Sequence, residues 1–156
     1  MLSHASATRR IPALLALVTA LLGSMVVGTA TAADAATPLG SRVIKEAAKH
    51  KGAPYKWGAV GPKRFDCSGY TRYVYKRFGK SLPHQSSQQY STRYVKRVSK
   101  GAKRTGDLIF LKNSSGRIYH VGIYAGAGKY WVAPHTGSHV KLQKIYTSRY
   151  VVGRVK

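Results

Sequence analysis

The sequence predicts an α+β domain, with helices first and a small antiparallel sheet after them. Three observations lead there. Apolar residues recur at helical spacing up to about residue 90, the period changes to two from Tyr94 onward, and no segment repeats. At 156 residues the chain has room for one such domain.

Residues 1–35 read as an export signal rather than as fold. Arg9 and Arg10 form a basic start, an apolar run from Ile11 to Val27 follows, and Ala30-Thr31-Ala32 and Ala33-Asp34-Ala35 offer small-x-small cleavage patterns. A membrane anchor is the competing reading, because the run approaches the roughly 20 residues that cross a bilayer. With cleavage favoured, no stable span is expected to remain, and residues 36–156 form the working domain.

In that domain, Ser41 is placed to cap a first helix. Val43, Ile44, Ala47 and Ala48 give it an apolar stripe, and Gly52 lies beyond its end. A loop rich in Gly and Pro runs from Gly52 to Arg64. Tyr70, Tyr73, Val74 and Phe78 then mark a second amphipathic helix closed by Gly79. Leu82-Pro83 breaks the chain, and Gln85 to Tyr90 fit a third, short helix. Strands are expected over Leu108–Leu111, His120–Tyr124, Tyr130–Val132, Val140–Ile145 and Tyr150–Val155, with Gly126-Ala127-Gly128 as a hairpin.

Charge narrows the partners. There are 27 Lys and Arg against 4 acids, a formal net charge of +23, which implies attraction to polyanions. The cations are spread along the chain, so they describe a surface and not a tail. Outside a cell the abundant polyanions are wall polymers and anionic headgroups. Nucleic acid binding is disfavoured, because most of the eleven tyrosines fall at core spacing rather than among base-reading groups. Zinc and other cofactors are not expected, since one cysteine and scattered histidines provide no ligand spacing.

That lone cysteine, Cys67, is buried and inert, bridged to another molecule, or reactive. It sits at the expected start of the second helix. Free N–H groups and the positive dipole end there favour thiolate, and the surrounding cations push the same way. Asp66 opposes this while making a good cap. A small apolar residue at a helix start is the competing reading. A thiolate nucleophile needs a base, and His50, His84, His120, His135 and His139 are the candidates. His120 heads a strand in which it shares one face with Gly122 and Tyr124. This suits a site-lining face, although a surface strand with an incidental histidine has the same pattern.

Six ordered blocks resemble the NlpC/P60 family. They are Gly52-x-Pro54-Tyr55-x-Trp57-Gly58, Phe65-Asp66-Cys67-Ser68-Gly69, Leu82-Pro83, Gly106-Asp107-Leu108-Ile109-Phe110, His120-Val121-Gly122-Ile123-Tyr124 and Ala133-Pro134-x-Thr136-Gly137. The resemblance implies a papain-like NlpC/P60 fold, and the chain is expected to be a monomer that is secreted, extracellular or associated with the cell wall. The activity it implies is cysteine peptidase cleavage of peptidoglycan stem peptides at the bond between D-γ-glutamate and a diamino acid. It makes Cys67 the nucleophile and His120 the base. Tyr55 would stabilise the oxyanion together with the Cys67 N–H. Asp66 would either cap the helix or also bind the free amine of the stem peptide. Asp107 reads as a structural turn residue.

One position departs from the family pattern. Where a third polar residue usually orients the base, this chain has Val132, which accepts no hydrogen bond. His135 is the nearest replacement. A two-residue turn at Ala127-Gly128 would pair it with His120 across the ladder, whereas the family's usual spacing would turn it to the other face. The alternative function is a non-catalytic or weakly active wall-binding relative. In either case the basic surface is expected to supply targeting through anionic wall polymers.

Overall fold

The computed structural model describes residues 38–156, so the expected export segment at 1–35 lies outside the described residues. Three helices come first: α1 (Leu39–Ala48), α2 (Cys67–Lys76) and α3 (Ser86–Gln89). Six strands follow: β1 (Val95–Val98), β2 (Leu108–Lys112), β3 (Ile118–Gly126), β4 (Lys129–Val132), β5 (Lys141–Lys144) and β6 (Tyr150–Val155). They form one antiparallel sheet in the order β1-β6-β2-β3-β4-β5.

The helix stripes do what their spacing requires. Val43 and Ala47 of α1 and Tyr70 and Val74 of α2 are fully buried, packed with Leu108, Phe110, Val121 and Ile123 from one sheet face. The intervening residues Ile109 and Leu111 join Tyr124, Tyr130, Val132 and Val152 on the opposite face. Strand β2 is thus buried on both sides, which explains its unbroken apolar run. The Tyr70 hydroxyl donates to the Ala47 carbonyl at 2.8 Å and ties α2 to α1. Asp107, buried as expected of a structural turn residue, accepts from the Arg104 N–H at 2.7 Å and from Arg154 Nε at 2.8 Å, locking β6 to the start of β2.

Three local expectations change. Ser41 is not the cap of α1: the helix begins at Leu39 with Pro38 at the cap position and no side-chain cap. Strand β1, absent from the expected set, pairs with β6 at the sheet edge. Its four residues place Lys96 and Arg97 between two valines, too short and too charged to show a period. Finally, β3 starts at Ile118 rather than His120 and carries an extra residue near each end.

Those two bulges matter for the site. Leu111 faces His120 but Lys112 faces Ile118, so Tyr119 is the unpaired residue. At the other end Gly126 faces Lys129 as a two-residue turn demands, yet Tyr124 faces Tyr130, which leaves Ala125 unpaired. The second bulge shifts the register by one residue, and β4 ends at Val132, so the ladder pairing of His120 with His135 does not form.

Gly122 gives room to β4. A Cβ there would stand 2.5 Å from the Tyr130 ring and 2.6 Å from the Trp131 carbonyl oxygen. Gly122→Ala is therefore expected to destabilise the domain by about 1–3 kcal/mol, read as a lower urea midpoint.

Candidate active site

The first turn of α2 is built around one carboxylate. Asp66 is extended at the cap position, and its Oδ1 accepts from the Gly69 N–H at 2.7 Å and from Ser68 Oγ at 3.3 Å. Its Oδ2 accepts from the Gly58 N–H at 2.9 Å and meets His84 Nε2 at 2.8 Å. The side chain thus caps the helix and fastens two loops to it. Binding a substrate amine as well would require Asp66 to give up one of these bonds. Gly69 is required for the same close approach, since a Cβ there would lie 2.1 Å from the Ala59 carbonyl oxygen.

A second latch comes from α3. Gln89, fully buried, accepts from Thr71 Oγ1 at 2.8 Å and donates to the Ser68 and Pro83 carbonyls at 3.0 and 2.8 Å. Every polar atom of that amide is used, so the turn bearing Cys67 is held from both sides.

Cys67 and His120 line one cleft of about 480 Å³, together with Tyr55, Trp57, Tyr119, His135 and Tyr146. That volume lies within the range usual for small-molecule sites. Cys67 is 9% exposed and His120 is 6% exposed, so both are sheltered yet reach the cleft wall. The ring of Tyr119 lies roughly parallel to that of His120, with centroids 6.2 Å apart, because the bulge turns both to one side. Tyr119 in turn shares a hydroxyl contact of 3.2 Å with Tyr146.

The electrostatics differ from the expected thiolate. Burial pushes the Cys67 thiol up and the Asp66 charge adds to it, while backbone N–H groups of Val121, Ser68 and Cys67 oppose them. The net direction is upward. The helix start is real, but here desolvation and the capping carboxylate outweigh it. Burial, reinforced by His135, lowers His120 to about 4. Near neutral pH the thiol and the imidazole that line this cleft are therefore both uncharged. Tyr55 is raised by burial and by Cys67 and Asp66, so its phenol keeps its proton and remains a donor.

Five residues were singled out as site residues from sequence. Four of them, Cys67, His120, Tyr55 and His135, share the cleft, whereas Asp66 sits behind it as the cap. His135 makes no hydrogen bond to His120; its Nδ1 lies 2.9 Å from the Thr136 carbonyl oxygen. Val132 is fully buried in the second core. Sequence reading had His84 only as a candidate base and not as a partner of Asp66, and it missed Gln89, Tyr119 and Tyr146. The signal for Tyr119 was adjacency to His120, but only the bulge brings it to the same side.

The lowered His120 value has a consequence for stability. Between about pH 6.5 and 4 the unfolded imidazole binds a proton that the folded one refuses. The contribution is fully present above about pH 6.5 and is lost as pH falls toward 4, amounting to about 3 kcal/mol. Urea denaturation at several pH values is expected to show this loss in the parent protein and a flatter profile in His120→Gln.

Comparison with known proteins places this arrangement. Residues 52–153 match the model of the NlpC/P60 family. The chain is 46% identical over 114 residues to "Probable endopeptidase p60" of Listeria monocytogenes, covering 71% of this chain and 22% of the relative. It is 34% identical over 108 residues to "Murein DD-endopeptidase MepH" of Escherichia coli, covering 65% and 40%. The solved NlpC/p60 domain of the peptidoglycan hydrolase SagA superposes with a TM-score of 0.66 at 36% identity, covering 75% of this chain and 97% of that domain. The chain spans about a fifth of the length of the p60 relative but nearly all of the SagA domain. By family match, identity and fold, this chain belongs to the NlpC/P60 family.

Proposed function

We propose that the chain is a cysteine endopeptidase of peptidoglycan stem peptides, with Cys67 as nucleophile and His120 as base. The observation that carries this reading is that both side chains line one cleft, with the thiol at the start of α2. Because the resting pair is neutral, proton transfer accompanies attack. As the sulfur bonds to the substrate carbonyl carbon, His120 takes the thiol proton. The oxyanion is met by the Tyr55 hydroxyl and the Cys67 N–H. The imidazolium then protonates the leaving amine, the C–N bond breaks, and a thioester remains. Water, deprotonated by His120, releases the acid and restores the thiol.

His135 serves as the third member in this scheme. It lines the same cleft as His120, and its Nδ1 donates to the Thr136 carbonyl, which fixes the ring at the cleft wall. The bond proposed for cleavage is that between D-γ-glutamate and the diamino acid. The relative MepH is named for a different linkage, so the products decide the point. The working place is outside the cytoplasm, at the cell wall, where the cationic surface binds anionic polymers.

Cys67→Ala is expected to abolish release of split stem peptides from purified peptidoglycan with the fold intact. His135→Ala is expected to lower the rate about ten- to a hundredfold without abolishing it. Mass spectrometry of the products reads both; unchanged turnover in the Cys67 variant would end the peptidase reading. Wall-bound protein is expected to elute with salt, and retention at about 1 M NaCl, where screening acts within about 3 Å, would contradict polyanion targeting.

A further inference from the structure

A second concavity of about 690 Å³ adjoins the cleft, and Tyr119 lines both. Arg97, Lys112 and Arg117 line it, with no acid among its lining residues. None of the three has an ion-pair partner among the described residues. Like charges left facing one concavity repel, a cost that an anionic ligand would relieve.

The cations stand on a built frame. Arg97 lies over the Tyr90 ring at 5.2 Å, and that ring packs on Phe110 at 5.1 Å. Lys112 and Arg117 flank the β2–β3 turn, where Asn113 Oδ1 accepts from the Arg117 N–H at 2.9 Å and from Ser115 Oγ at 2.9 Å. The bulge that turns Tyr119 toward His120 begins at Lys112, so one backbone feature shapes both the cleft wall and the groove.

We infer that this groove holds the terminal carboxylate of the stem peptide, on the leaving side of the scissile bond. The ligand's identity rests on the peptidase reading above. A γ-linked glutamate keeps its α-carboxylate beside the scissile bond, inside the cleft. The groove shares the Tyr119 wall with the cleft without holding Cys67 or His120, which suits a carboxylate a residue or more away from the scissile bond, at about 3.3 Å per extended residue. Guanidinium and ammonium groups recognise such a carboxylate by charge-assisted hydrogen bonds.

The test compares a synthetic stem peptide bearing a free terminal carboxylate with the same peptide amidated there. Binding is measured by calorimetry on the Cys67→Ala protein, so that turnover is not needed. The free acid is expected to bind about tenfold more tightly. The double variant Lys112→Gln/Arg117→Gln is expected to erase that preference with an unchanged melting temperature, and Arg97→Gln to weaken it. Equal binding of the two peptides, no binding, or a preference that survives the double variant overturns the inference. So does loss of wall retention by the double variant with the peptide preference intact, which would give the groove to wall polymers. Failure of the parent protein to cut, with the preference present, would sink the peptidase reading and leave the groove standing.

Discussion

The site depends on the Asp66 carboxylate. Its two oxygens hold the first turn of α2, the Gly58 loop and His84 in one cluster, and Cys67 is the next residue in the chain. Helix starts leave N–H groups without partners, and Asp66 supplies one of them with an acceptor. The same bond sets where the sulfur stands relative to β3, whose Val121 N–H approaches it. The charge that builds this geometry also disfavours the thiolate. Position and reactivity therefore pull in opposite directions, and in the proposed mechanism His120 reconciles them by taking the proton during attack.

The acids show how charge is partitioned. Glu46, Asp66 and Asp107 are the carboxylates among the described residues, and all three are buried in internal contacts. Glu46 meets Lys49 at 2.7 Å and Arg77 of α2's end at 3.6 Å; Asp107 takes Arg154. With its acids consumed in these few contacts, most cations of the described surface, Lys49, Arg77 and Arg154 apart, have no neighbouring carboxylate. That follows from counts too lopsided to allow both internal pairs and a mixed surface. Exposed pairs contribute little to stability, so the loss is small, while the field left outside is large.

Tyr119 shows how a single extra residue can reorganise a site. Regular pairing would send adjacent strand residues to opposite faces. The bulge cancels that alternation and sets Tyr119 against His120, with Tyr146 holding its hydroxyl. The imidazole is thereby walled by an aromatic ring of its own strand, while Val132 of β4 contributes only apolar packing. Strand β3 keeps its alternation between the two bulges, with Val121 and Ile123 in the main core and Tyr124 on the reverse face.

Helix periodicity, the change to period two and the six spaced blocks were legible in the sequence, because each depends on neighbours within a few residues. From them came the α+β class, the start of α2 at Asp66-Cys67, the burial of Val43, Tyr70 and Val74, and the pairing of Cys67 with His120 as candidates. What only the tertiary structure decided involves distant or cumulative effects. Strand β1 is held at the edge by β6, more than fifty residues later. The register of β3 against β4 turns on Ala125, whose bulge leaves no local mark. The protonation of Cys67 and His120 depends on how much protein surrounds them, and burial is a sum over the whole fold. Local pattern thus named the residues, and packing set their charge and their neighbours.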